Sequence, residues 1–182
     1  MIFHTANWYL RNSNTDGGAD VTVSYGWVYY KPVVGDWDGN GTTTIGVYTP
    51  LDNKWWLRNS NTSGSPEIDI TFDVGSTSYI PVAGDWNGDG ITTPGFYDPN
   101  SGTWYLRNSN TSGGADITFQ YGGGNLYTPV VGDWDGNGTW TIGVYEPASG
   151  GWYLRNSNSG GNPDITVFYG WTYYKPVVGR WQ

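Results

Sequence analysis

The chain has 182 residues, a formal net charge of −8, one histidine and no cysteine. Disulfides and cysteine-bound metals are therefore excluded, and His4 alone leaves little for histidine chemistry. The acidic balance argues against nucleic acid, whose affinity depends on Lys and Arg neutralising phosphates, and suits cations or neutral ligands better.

No apolar run approaches the ~20 residues of a membrane helix, so no membrane insertion is expected. Met1-Ile2-Phe3-His4 leads almost directly into a repeat, so no secretory leader is expected in the sequence as given. Gly, Asn, Ser and Thr are dense and charge is sparse, which predicts tight turns between short strands rather than helices.

In chain order, the first recognisable segment is Trp-Tyr-Leu-Arg-Asn-Ser-Asn at Trp8–Asn14. Ala19–Gly26 then alternates strictly, with Val21, Val23 and Tyr25 on one side and Asp20, Thr22 and Ser24 on the other, which is the period-two signal of a strand. An aromatic connection, Trp27-Val28-Tyr29-Tyr30-Lys31, follows. Next come four predicted strands, Pro32–Trp37, Thr44–Tyr48, Trp56–Asn59 and Ile68–Phe72. Turn signals separate them at Asp38-Gly39, Asn40-Gly41, Asp52-Asn53 and Thr62-Ser63-Gly64.

The same set then recurs. The heptapeptide returns at Trp104–Asn110 and Trp152–Asn158, with a one-residue variant at Trp55–Asn61. Its leucines, Leu10, Leu57, Leu106 and Leu154, are 47, 49 and 48 residues apart. The loop Gly35-Asp36-Trp37-Asp38-Gly39-Asn40-Gly41 returns from Gly84 to Gly90 and from Gly132 to Gly138. Prolines 32, 81, 129 and 176 open the same strand in each copy, a place a strand tolerates proline. The chain thus reads as one domain, residues 1–182, of four units at about 1–37, 38–86, 87–134 and 135–182.

Four short antiparallel strands per ~48 residues is the blade of a β-propeller, so the predicted fold is all-β with four four-stranded blades. The chain starts within a second strand and stops after a first strand, Pro176–Trp181, which is expected to join the blade begun by Ile2 and Phe3 and close the ring. Arg180 stands where the other copies have aspartate, which reads as a genuine end. Four blades is small for a propeller, and the alternative is two chains pairing into an eight-bladed ring. The Gly-Asp-Trp-Asp-Gly-Asn-Gly loop followed by Ile-Gly-Val-Tyr resembles the FG-GAP/VCBS-type repeats of extracellular propellers. That resemblance spans nearly the whole chain. It implies an extracellular or cell-surface setting and a role as adhesion module, lectin or accessory domain.

In the family this loop carries oxygen side chains at alternate positions, a spacing that wraps a chain around calcium. The corresponding donors are Asp36, Asp38, Asn40 and Thr44, then Asp85, Asn87, Asp89 and Thr93, then Asp133, Asp135, Asn137 and Thr141, with the backbone carbonyls of Thr42, Ile91 and Thr139 between them. Threonine replaces the family's last carboxylate in all three, and no glutamate stands at the twelfth position (Val47, Phe96, Val144), which excludes an EF-hand. The competing reading is a stack of Asx-turns with glycines at positive φ.

Further candidates come in copies too. Trp37, Trp86 and Trp134, set among turn aspartates, read either as core or as exposed platforms for a sugar ring. Arg11, Arg58, Arg107 and Arg155 read either as clamps on backbone carbonyls or on Asp36, Asp85 and Asp133, or as ligand clamps. Asn12, Asn59, Asn108 and Asn156 would complete the ligand patch. Trp27 and Trp171 mark two nearly identical aromatic connections, residues 27–31 and 171–175, suited to stacking on sugars or plugging a narrow ring.

No Ser-His-Asp set exists and the acids recur in register, which is unlike the single special blade a glycosidase needs, so no enzyme is expected. The primary expectation is a multivalent carbohydrate-binding module whose weak sites gain by avidity. The alternative is a structural or protein-interaction propeller of amplified blades, with a homodimer as one of its forms.

Overall fold

The computed structural model describes residues 5–74 and 76–179. Among them there are fourteen strands and no helix. β1 (Thr5–Leu10) and β2 (Val21–Trp27) form a two-stranded antiparallel sheet. Three four-stranded sheets follow, each a meander of consecutive strands. The first holds β3 (Lys31–Gly35), β4 (Thr44–Thr49), β5 (Lys54–Leu57) and β6 (Ile68–Thr71). The second holds β7 (Ile80–Gly84), β8 (Thr93–Asp98), β9 (Thr103–Leu106) and β10 (Ile117–Gln120). The third holds β11 (Thr128–Gly132), β12 (Thr141–Glu146), β13 (Gly151–Leu154) and β14 (Ile165–Phe168).

Register repeats with sequence. Pro32 lies opposite Val47, Pro81 opposite Phe96 and Pro129 opposite Val144. Each proline sits in an edge strand, where a missing N–H costs the ladder nothing. The third strands begin and end two residues earlier than their alternation predicted: β5 stops at Leu57, and Arg58 leaves the ladder to serve the loop that follows.

Among the described residues the sheets are not closed into a ring. β3, β7 and β11 each pair with the strand that follows them, whereas Pro176–Gly179 has no such ladder among the described residues and forms no strand. Backbone N–H and C=O groups need partners, so a lone first-strand sequence does not become a strand by itself. Ile2, Phe3, His4 and Arg180–Gln182 lie outside the described residues.

The core lies between successive sheets. One face of β1–β2, carrying Val23 and Tyr25, packs on Ile45 and Val47 of β4. The opposite face of the first four-stranded sheet, with Tyr48, Trp55, Leu57, Ile70 and Phe72, packs on Phe96 of β8. The second sheet repeats this with Tyr97, Trp104, Leu106 and Tyr121 against Ile142 and Val144. Both faces of the second strands are buried, so β4 and β8 are covered at every position. Aromatic rings fill the wedge; Tyr48 meets Phe96 edge-on at 4.9 Å between centroids.

Backbone and side-chain bonds tie the sheets laterally. Thr92 N–H donates to the Asp36 carbonyl and Trp140 N–H to the Asp85 carbonyl, both at 2.7 Å. The last asparagine of the heptapeptide reaches further: Asn110 Nδ2 donates to the Trp37 carbonyl at 3.0 Å and Asn158 Nδ2 to the Trp86 carbonyl at 3.3 Å, each bond crossing to the preceding sheet.

Candidate functional site

The arginines sit just past the third strands and fold over the loop to the fourth. Arg58 uses Nε, Nη1 and Nη2 on the Thr62 and Ser65 carbonyls, the Ser60 and Thr62 hydroxyls and the Glu67 carboxylate (2.6 Å). A guanidinium has five N–H donors, and five bonds account for all of them. Arg107 holds the carbonyls of Thr111, Ser112 and Gly114 and the Thr111 hydroxyl. Arg155 holds the Ser159, Gly160 and Asn162 carbonyls and pairs with Asp164 at 2.9 Å. Arg11 makes the same set of contacts to Ser13, Thr15, Asp16 and Gly18 but is exposed. Glu67 and Asp164 are the acid partners, not the loop aspartates Asp36, Asp85 and Asp133 named as expected partners.

That acid is nine residues beyond the arginine in every copy: Asp20, Glu67, Asp116 and Asp164. Its carboxylate accepts the backbone N–H of Asn12, Asn59, Asn108 and Asn156 in turn, at 2.7–3.1 Å. Four of the candidate ligand residues therefore act through their backbone to close a loop. The side-chain oxygens of Asn59 and Asn108 are buried and have no protein partner among the described residues.

Trp37 and Trp86 are core residues, 2% and 3% exposed, and Trp134 is partly buried. Each indole lies back across a glycine two positions before it. A Cβ on Gly35 would stand 2.8 Å from the Trp37 ring, on Gly84 2.7 Å from Trp86, and on Gly132 2.9 Å from Trp134. The Ile-Gly-Val-Tyr glycine completes the seat, since a Cβ on Gly46 would meet Trp37 at 3.3 Å and Leu57 at 2.7 Å. Trp86 Nε1 and Trp134 Nε1 donate to the Pro94 and Ile142 carbonyls. No indole face of Trp37 or Trp86 is left open to a sugar.

The aspartate loops are stacked Asx-turns. Asp85 accepts the N–H groups of Gly88, Asp89 and Gly90, and Asp133 those of Gly136, Asn137 and Gly138, all within 3.1 Å. Asp36 accepts Asn40 and Gly41 N–H. The next polar residue repeats the move: Asp38, Asn87 and Asp135 accept from the residue two on, as do Asn40, Asp89 and Asn137 toward Thr42, Ile91 and Thr139. The glycines supply the positive φ, such as +72° at Gly39 and +86° at Gly41.

Thr44, Thr93 and Thr141 stand apart from these loops. They are buried in the sheets, and the Thr44 hydroxyl donates to the Arg58 carbonyl at 2.6 Å, as Thr93 does to Arg107. Calcium takes six to eight oxygens. Each loop brings two acidic side chains, one already bonded to two or three backbone N–H groups, and the threonine hydroxyl points into the sheet. Among the described residues no group of three or more His, Cys, Asp or Glu gathers as a metal-holding cluster. The donor set does not fit a dedicated calcium cage.

The first strands surround a cleft of about 760 Å³ walled by Pro32, Val34, Pro81, Ala83, Pro129 and Val131. Trp140 stands at this cleft, partly exposed, where the other copies have Thr43 and Thr92. This break in the repeat was legible in the sequence as Thr-Trp-Thr against Thr-Thr-Thr and Ile-Thr-Thr, and copy-to-copy reasoning passed over it. The aromatic connections differ in setting: Trp27 is partly covered, whereas Trp171 and Tyr173 are exposed.

Burial raises the hydroxyls of Tyr25, Tyr48, Tyr97 and Tyr121 to about 12 from 10.0, because the phenolate is poorly solvated between sheets. Comparison with family models, with curated protein sequences and with solved structures found no match to this chain.

Proposed function

We propose that this chain is a non-enzymatic, ligand-independent scaffold of the propeller type, built from FG-GAP/VCBS-like repeats and acting through its surface on another protein in an extracellular or cell-surface setting. Support for the propeller arrangement comes from meandering four-stranded sheets in register, stacked face to face with their first strands adjacent around a cleft.

One observation carries the scaffold reading: the arginines that recur in every copy already have protein partners for their donors, and Arg58 has none left. Recurrence then follows from architecture, since each sheet needs the same clamp, the same indole seat and the same turn. A lectin-like reading keeps one foothold, the exposed rings of Trp171 and Tyr173, open to stacking on a sugar.

Thermal unfolding with about 10 mM calcium against chelator, a concentration above the weakest extracellular sites, tests the reading together with a glycan array. The expected outcome is an unchanged midpoint and no specific glycan. A raised midpoint in calcium, or selective glycan capture lost on Trp171→Ser, would overturn it.

A further inference from the structure

We propose that Asn40, Asn87 and Asn137 are sites of spontaneous deamidation, and that the aspartate opening each loop holds the reaction back while the chain is folded. They are the three asparagines that a glycine follows. Asparagine is a labile side chain, and glycine carries no side chain to shield the backbone nitrogen that attacks it. All three asparagines are exposed, so water reaches them. In the first loop, Gly41 N gives its proton to solvent and bonds to Asn40 Cγ. The Cγ–Nδ2 bond breaks, its electron pair leaves on nitrogen, and a solvent proton completes ammonia. Water then opens the cyclic imide, and the side chain ends as aspartate or as isoaspartate. Water is consumed and ammonia released, with no change of oxidation state.

Both reacting groups are already engaged in the fold. The attacking nitrogens are bound through their N–H: Gly41 to Asp36 Oδ2 at 2.6 Å, Gly88 to Asp85 Oδ1 at 2.8 Å and Gly138 to Asp133 Oδ2 at 3.0 Å. A carboxylate that accepts an N–H stabilises the protonated amide, whereas attack needs that proton gone. A carboxylate is also far too weak a base to take the proton itself. The side chain under attack is held as well. Asn40 Oδ1 accepts the Thr42 N–H at 2.8 Å, Asn137 Oδ1 the Thr139 N–H at 2.7 Å and Asn87 Oδ1 the Asp89 N–H at 3.3 Å, which fixes each in its Asx-turn. The restraining aspartates are themselves anchored inside the stack. Asp36 N–H donates to Thr92 Oγ1 at 3.0 Å, the Asp36 carbonyl accepts the Thr92 N–H, and Asp85 is buried. The turns that shape these loops therefore also protect them chemically, and the protection lasts only as long as the carboxylate keeps its N–H.

This inference goes beyond the scaffold reading, and no ligand or partner enters its test, so either can fail alone. The full chain is incubated in mildly alkaline buffer, folded and in urea, and peptide mapping by mass spectrometry follows aspartate and isoaspartate at each site. Each asparagine should react at least about tenfold more slowly folded than unfolded, the weight of a hydrogen bond to a charged group. Asp36→Ala should speed Asn40 by a like factor and leave Asn87 and Asn137 unchanged, and Asp133→Ala should speed Asn137 alone. The untouched loops report that the variant is folded; where a variant loses its fold, all three sites speed together and the parent's folded and unfolded rates decide. A folded parent that reacts as fast as the unfolded chain would overturn the proposal. So would a folded Asp36→Ala variant in which Asn40 reacts no faster, or in which it slows because the carboxylate had been acting as a base.

Discussion

Trp27-Val28-Tyr29-Tyr30-Lys31 and Trp171-Thr172-Tyr173-Tyr174-Lys175 are nearly the same peptide at two ends of the molecule. Both make the same turn: Tyr30 N–H donates to the Trp27 carbonyl and Tyr174 N–H to the Trp171 carbonyl, each at 2.9 Å. Beyond the turn they part. Tyr30 meets Trp56 edge-on at 5.4 Å, and Lys31 opens β3 and donates its Nζ to the Tyr79 carbonyl at 2.7 Å. Tyr173 and Tyr174 lie exposed, and Lys175 opens no strand. Turn geometry is therefore a local property of these residues. Strand formation and burial are properties of what comes next to them, and they depend on a following strand and a neighbouring sheet.

The same contrast can be broken at the tryptophans, where the largest effect is expected. Trp104 and Trp152 occupy one position of the repeat, the first fully buried between sheets and the second only partly covered. Trp104→Ala should cost about 4 kcal/mol and Trp152→Ala about 2 kcal/mol, since the cost follows the contacts and cavity left behind. Equilibrium urea unfolding measures both. Equal costs would mean that position in the stack does not set burial energy.

A smaller effect should appear in alkali. The folded hydroxyls of Tyr25, Tyr48, Tyr97 and Tyr121 are held at about 12 by burial between sheets, while in the unfolded chain they titrate near 10.0. The unfolded state therefore loses these protons first. Their contribution is fully present below pH 10 and is lost as pH rises from 10 toward 12. These four hydroxyls should give up their protons only together with unfolding; phenolate absorbance from them near pH 10 in a chain that stays folded would contradict their burial.

Much of the fold was legible from particular residues. Strict alternation in Val21, Val23 and Tyr25 placed β2, and the recurring prolines marked the edge strands. Expectations failed where a side chain's partner lay in another element. Trp37, flanked by aspartates, left core and exposed platform both open, and the glycine two residues before it and the glycine of Ile-Gly-Val-Tyr mark the core seat for its ring. Arg58 was read as a clamp on backbone carbonyls or on the loop aspartates; it holds the Thr62 and Ser65 carbonyls, while its acid is Glu67, one of the acids that recur nine residues after every arginine. Asn110 and Asn158 end two copies of the heptapeptide, and their bonds to the preceding sheet became visible only once two sheets stood side by side. Ring closure was read from one strand's sequence, and a strand needs its ladder.

The account rests most on the claim that the repeated arginines hold the protein rather than a ligand. Urea unfolding of Arg107→Gln beside Arg11→Gln, with no ligand present, tests it most directly. Arg107 is buried over its loop and Arg11 makes like contacts in solvent. The expected losses are about 3 kcal/mol for Arg107→Gln, which takes a buried guanidinium away from the Thr111, Ser112 and Gly114 acceptors, and below about 1 kcal/mol for Arg11→Gln. An Arg107→Gln variant as stable as the parent, or more so, would contradict the account and return that arginine to the surface as a ligand clamp.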